Sequence, residues 1–268
     1  IKVKIKVKIK VKIKVKIKRF LIVIMDTHSL ENRLTTYVID TPQHQLYKDM
    51  YKNQTYDFVK AKIDHYDKLD NCEMTMKEAL SMLDEFIDPS DPDVDLPNSI
   101  HAYQTAERIR KEYPEDYEFQ VCGLIHDVGK VLFKFGEPSW AVVGDTFVLG
   151  CEFPKSIVYY DSLSDNPDYK QEKYNTTYST NNKTKYGVYD SNCGLNSLKI
   201  SFGHDEYLYI VLKNNYHHLS DRYLNMIRFH SFYPWHTGGD YRHLMKDSDH
   251  IILEDVLKLN SYDLYSKE

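Results

Sequence analysis

The chain runs to 268 residues, long enough to bury a large core as one domain without disulfide staples. Its four cysteines (Cys72, Cys122, Cys151, Cys193) show no paired spacing, which argues against a secreted disulfide framework and predicts reduced thiols in a cytoplasmic protein. The formal charge of −5 hides an asymmetry: ten of the 35 Lys and Arg residues fall in the first 19 positions, so the rest carries about −15, which argues against nucleic acid as a partner.

Residues 1–18 alternate Ile or Val with Lys and lead into the apolar run Phe20–Met25. A period of two suits an amphipathic strand or a lysine face on an anionic membrane. The perfect repeat and the missing Met at position 1 favour a simpler reading, in which residues 1–24 are a low-complexity, non-native tail and 25–268 form one domain. Six apolar residues are too few for a signal core or a membrane span, so no membrane association is expected. From Asp26 to about Ile87 a polar, helical pattern predicts leading helices that flank the core, the last over Thr75–Phe86 with Leu80, Met82, Leu83 and Phe86 as its apolar edge. Three prolines then force a loop from Asp88 to Asn98 that carries four aspartates. Asn98 or Ser99 is expected to cap the next helix, which places Ile100, Ala102, Tyr103, Ala106 and Ile109 at core spacing, turns His101 inward and ends near Tyr113. The run Phe119–Phe135 is apolar nearly all round, which predicts one or two buried helices with a break at Gly129.

That buried run contains His126 and Asp127, and an ionised carboxylate in such surroundings needs a cationic partner. Singly, a His-Asp pair is more often a core histidine and a helix cap than a metal site. His101, His204, His230 and Asp263 recur in comparable settings, however, and no cysteine joins the set. Imidazole and carboxylate suit iron and manganese as well as zinc, whereas structural zinc draws on thiolates at short spacing. Six donors exceed what one tetrahedral ion with an open position uses. The simplest arrangement is a two-metal cluster bridged by the Asp127 carboxylate, with redox iron favoured over zinc.

The order His, His-Asp, Asp resembles the HD-domain superfamily of all-helical metalloproteins. The flanking text is more specific: Asp91-Pro92-Asp93-Val94-Asp95, His101 to Glu107 (HAYQTAE), Gly136-Glu137-Pro138 through Trp140 to Phe147, Gly203 to Tyr209 (GHDEYLY) and Met226 to Gly239 (MIRFHSFYPWHTGG) together resemble the myo-inositol oxygenase family over roughly Thr55–Lys267. The resemblance implies an all-α HD-domain bundle with peripheral helices, and a reaction that opens the myo-inositol ring with O2 to give D-glucuronate. It implies two Fe ions, active in a mixed-valent Fe(II)/Fe(III) state, with His101, His126, Asp127 and Asp263 on one and Asp127, His204 and His230 on the other. The substrate supplies all four electrons, and the absence of a Gly-rich dinucleotide fingerprint agrees with that.

The same resemblance carries substrate contacts onto Asp88, Ser90, Lys130, Gly144, Asp145, His230, Ser231 and Lys267, with Lys130 and Asp127 in catalytic roles and a monomer expected. Lys130, one turn past His126, is suited to stabilise a developing alkoxide, although a lysine near a helix end is equally a solvated dipole partner. Asp95 and Asp205 are read as structural groups that cap helices or bond a ligand imidazole. The remaining histidines, His236 among them, are read as surface or supporting groups. The chain departs from the family pattern in an Asn-, Thr- and Lys-rich insertion near 164–192 that is expected to be mobile, in Pro89, in the lack of a counterpart for a substrate arginine (Arg33 does not fill the role), and in stopping at Glu268 before a further helical tail. The alternative is an HD-type metal-dependent phosphohydrolase, disfavoured because Lys130 stands nearly alone as a phosphate-binding cation beside Asp88 and Asp145.

Overall fold

The computed structural model describes residues 38–90, 97–169, 185–215 and 218–264. Helix α1 (Pro42–Asn53) starts where Thr41 accepts a hydrogen bond from the His44 amide and Pro42 presets the first turn. Thr55 caps α2 (Tyr56–Tyr66) through the Phe58 amide, and Thr75 and Glu78 form a reciprocal capping box on α3 (Met76–Met82). A 3-10 turn continues α3 through Leu83–Glu85, and Leu80, Leu83 and Phe86 are buried, as the apolar edge predicts.

Next come α4 (Asn98–Glu112), α5 (Tyr117–Ile125, capped by Asp116 on the Phe119 amide) and a 3-10 helix over Val128–Phe135. After a long irregular stretch follow α6 (His204–Asn214), α7 (Asp221–Phe229), the single turn α8 (Tyr233–His236) and α9 (Asp249–Asp263). Helices α4, α5, α6, α7 and α9 form the central bundle: α5 packs on α4 and α7, α6 on α7 and the 3-10 helix, and α9 on α4 and α7. The fold is therefore all-α. Its sheet among the described residues is one antiparallel pair, β1 (Val148–Leu149) and β2 (Lys199–Ile200), with Val148 opposite Ile200. No helix of the described residues is long and apolar enough to cross a membrane.

Several local expectations need correction. Pro97 precedes α4 without a capping side chain; Asn98 instead donates to the Phe86 carbonyl, and the Ser99 hydroxyl donates to Asp84. Ile100 and Tyr103 point outward, and the buried face of α4 is His101, Ala102, Thr105 and Ile109. The apolar run breaks at His126–Asp127 rather than at Gly129. Gly129 serves close approach instead: a Cβ there would lie 1.8 Å from the His204 carbonyl oxygen, so the 3-10 helix meets the start of α6 backbone to backbone.

Both described flanks of the 164–192 stretch are packed. The buried Asn166 amide donates to the carbonyls of Tyr51 and Gln54, Asp168 accepts from the Tyr56 amide at 2.7 Å, and Tyr189 donates to the Leu149 carbonyl at 2.6 Å. The tail at 1–24, Arg33, Asp91–Asp95 and Lys267 lie outside the described residues.

Candidate metal centre

Every candidate metal donor sits at or near a helix end. His101 is in the first turn of α4, and His126 caps the end of α5 with Asp127 following at the start of the 3-10 helix. His204 opens α6, His230 caps the end of α7, and Asp263 is the last residue of α9. Helix ends in a bundle converge, so donors up to 162 residues apart in sequence meet in one buried place.

They meet as two sets that share one carboxylate. Asp127 Oδ2 lies 3.8 Å from His101 Nε2 and 3.6 Å from His126 Nε2, while Asp263 Oδ1 lies 2.7 Å and 3.2 Å from the same two nitrogens. On the other side, Asp127 Oδ1 lies 3.2 Å from His204 Nε2 and 3.7 Å from His230 Nε2. Donor-to-donor separations of about 3 Å are what a cation with bonds of roughly 2.1 Å requires.

Tautomers support the same conclusion. The Nδ1 atoms of His126, His204 and His230 face the carbonyls of Gly123, Val142 and Ile227 at 2.8, 2.8 and 2.7 Å, and because a carbonyl only accepts, each Nδ1 must donate. In their neutral form the three rings therefore aim Nε2 lone pairs into the centre, the arrangement expected of metal-ligating histidine. His204 and His230 bring two Nε2 atoms to 3.0 Å, and the buried His126 Nε2 lies 3.2 Å from Asp263 Oδ1 without a well-directed hydrogen bond among the described residues. Facing lone pairs repel unless a cation or a proton lies between them, so this donor set fits metal ions.

Charge adds to the demand for a cation. Burial penalises the Asp127 and Asp263 carboxylates, but Lys130 and His126 around the first and His126 and His101 around the second outweigh that penalty and hold both well below the ordinary range. Burial would likewise keep His126 neutral; Asp127 and Asp263 overcome it and lift the imidazole to about 9. The two carboxylates thus favour a positive charge at His126, the same demand that a metal ion would meet.

Beside the centre lie the residues expected to meet substrate. The Lys130 ammonium donates to Asp127 Oδ2 at 2.9 Å and to Asn98 Oδ1 at 3.0 Å, and pairs with Asp88 Oδ2 at 2.7 Å. Asp88 in turn accepts from the Ser90 amide and hydroxyl at 2.8 and 2.6 Å. Gly144 has φ +106°, and a Cβ there would press on the Met50 methyl, so the next residue, Asp145, is presented by a turn that favours glycine. The backbone joins this turn to the second donor set: the Val142 carbonyl also accepts from the His204 amide, and the Thr146 amide donates to the Ser231 carbonyl at 2.9 Å.

Comparison with known proteins agrees with this geometry. A family model described as Myo-inositol oxygenase matches residues 41–268. The chain belongs to the myo-inositol oxygenase family. It is 49% identical over 222 residues to the inositol oxygenase of Danio rerio, covering 82% of this chain and 77% of that protein. The Homo sapiens inositol oxygenase is also 49% identical over 222 residues, with 82% and 75% covered, and the probable inositol oxygenase of Oryza sativa subsp. japonica is 43% identical over 252 residues, with 91% and 79% covered.

Sequence reasoning missed several residues around this myo-inositol oxygenase family site. The Tyr47 hydroxyl donates to Asp145 Oδ1 and accepts from the Asp145 amide, both at 3.1 Å, from a helix 98 residues away. Gln43 on the same helix donates to the Ser90 carbonyl and accepts from the Tyr159 hydroxyl. Asn98, expected as a cap, holds Lys130, and His236 is buried with Nε2 against the His230 carbonyl at 3.0 Å. The polar, helical pattern before Ile87 predicted flanking helices without singling out α1, and none of these pairings leaves a local signal.

Proposed function

We propose that this chain is an inositol oxygenase that opens the ring of myo-inositol with O2 to give D-glucuronate at a pair of iron ions. The observation that carries the reading is the position of Asp127, whose two carboxylate oxygens face separate donor sets. His101, His126, Asp127 and Asp263 would hold one ion, and Asp127, His204 and His230 the other. When bound, the ions would relay electrons from the substrate to O2 and supply the Lewis acidity that lets a substrate hydroxyl lose its proton.

This chain's own residues do the rest. The second set offers three donors against four in the first, which leaves it room for substrate hydroxyls. Burial disfavours the Lys130 charge, but Asp127 and Asp88 more than compensate and raise its pKa, so it stays an ammonium. Lys130 therefore acts as a fixed positive charge beside a developing alkoxide and not as a base. Asp88, Ser90, Asp145 and the backbone at Gly144 offer acceptors and donors that match a polyol, and Ser231 follows the ligand His230. We infer a cytoplasmic monomer, a location supported by four free cysteines.

The test is O2 uptake by protein loaded with Fe(II) anaerobically and then partly oxidised. One D-glucuronate formed per O2 consumed, with no added reductant, is expected. Hydrolysis of a phosphate ester with Mn2+ and no uptake of O2 with myo-inositol would replace this reading with the hydrolase.

A further inference from the structure

The two histidines that face Asp127 Oδ1 sit where helices hold their residues least firmly, since His204 opens α6 and His230 lies past the last turn of α7. Their Nε2 atoms are nevertheless 3.0 Å apart. Two residues inward from each histidine lies one half of a buried ion pair. Arg228 Nε donates to Glu206 Oε2 at 2.7 Å and its Nη2 to Oε1 at 3.1 Å, a two-pronged contact between α6 and α7. Its Nη1 donates to Asn196 Oδ1 at 2.9 Å, and the guanidinium lies 4.5 Å from the centre of the Tyr209 ring. Glu206 is 3% exposed and Arg228 7%.

At that depth desolvation consumes most of the Coulombic gain, so the pair adds little net stability compared with apolar residues of the same size. It does fix geometry, because the planar guanidinium fork meets a carboxylate in one orientation, which a lysine cannot reproduce. The geometry points to Glu206 and Arg228 as positioning residues that set the separation of His204 and His230 and thereby the affinity of the second metal ion. This inference rests on the two-ion reading above.

The test uses the full chain, stripped with a chelator and titrated with Mn2+, with bound metal per chain and the thermal midpoint both measured. Arg228→Lys keeps the charge but loses the fork; a double variant, Glu206→Met with Arg228→Met, replaces the pair by apolar side chains of similar size. In both variants the second ion should bind about ten- to a hundred-fold more weakly, the usual cost of removing a group that orients a metal ligand. The first ion should bind as before, and the double variant should keep its melting midpoint. Unchanged affinity for both ions would overturn the inference. Unfolding of both variants, or loss of both ions together, would also overturn it, by making the pair a packing element. Uptake of a single ion by the unaltered chain is a separate result that would remove the two-ion reading itself.

Discussion

Asp127 is the residue on which the centre turns, because each of its oxygens is committed to a different set of imidazoles. Asp127→Ala is therefore expected to bring retained iron from about two ions per chain to below one, whereas Asp263→Ala, which removes a carboxylate facing His101 and His126 of the first set, should leave about one. Metal analysis of the two purified variants separates these outcomes. Lys130→Met removes the fixed ammonium but no proposed ligand; kcat should fall about 100-fold, in the range seen for loss of one charge-stabilising donor, with iron content unchanged in the same preparation. The six candidate donors could be proposed from the sequence only as a set, because singly each reads as a packing histidine or a helix cap, and the structure brings them together in one buried place. Tyr47, Gln43 and Asn98 were not legible, because a hydroxyl or amide gains its role only from a partner brought close by folding.

Helix ends do the assembling at the next scale. Each donor occupies the first turn or the terminus of an element, so the site's precision depends on where helices stop and how closely their ends approach. Gly129 is the clearest case. A methyl group at that position would collide with the His204 carbonyl, so Gly129→Ala must push α6 away from the 3-10 helix, at a cost of about 1–3 kcal/mol in stability and with His204 displaced from Asp127. Denaturant unfolding together with metal titration would register both effects. The helix pattern and the Thr75 start were readable from apolar spacing and punctuation. The exact break at His126–Asp127 was not, because Gly129 looks like a helix breaker in sequence and its actual use, backbone approach to a segment 75 residues later, is a tertiary property.

For the molecule as a whole, the proposed centre would couple metal binding to stability through charge. In the metal-free protein the raised His126 pKa contributes stability that is fully present below its ordinary value of 6.5 and is lost as pH rises toward about 9. Asp127 and Asp263, depressed below the ordinary value of 3.8, contribute stability that is present above that value and is lost as the solution is made more acid. Thermal midpoints of chelator-treated protein should accordingly decline between pH 6.5 and 9, while iron-loaded protein, in which the metal and not a proton occupies His126, should show no such decline. A flat profile in the stripped protein would remove the charge argument. The all-α architecture came from the helical spacing of apolar residues taken together with the family resemblance, whereas the packed flanks around Asn166 and Tyr189 were masked by a polar composition that reads as surface.

The most direct measurement is electron paramagnetic resonance on iron-loaded, half-oxidised protein with and without myo-inositol. Two ions bridged by Asp127 predict a spin-coupled Fe(II)/Fe(III) signal, integrating to one centre per chain, that shifts when the polyol is added. An isolated ferric signal at one iron per chain, unmoved by myo-inositol, would contradict the account.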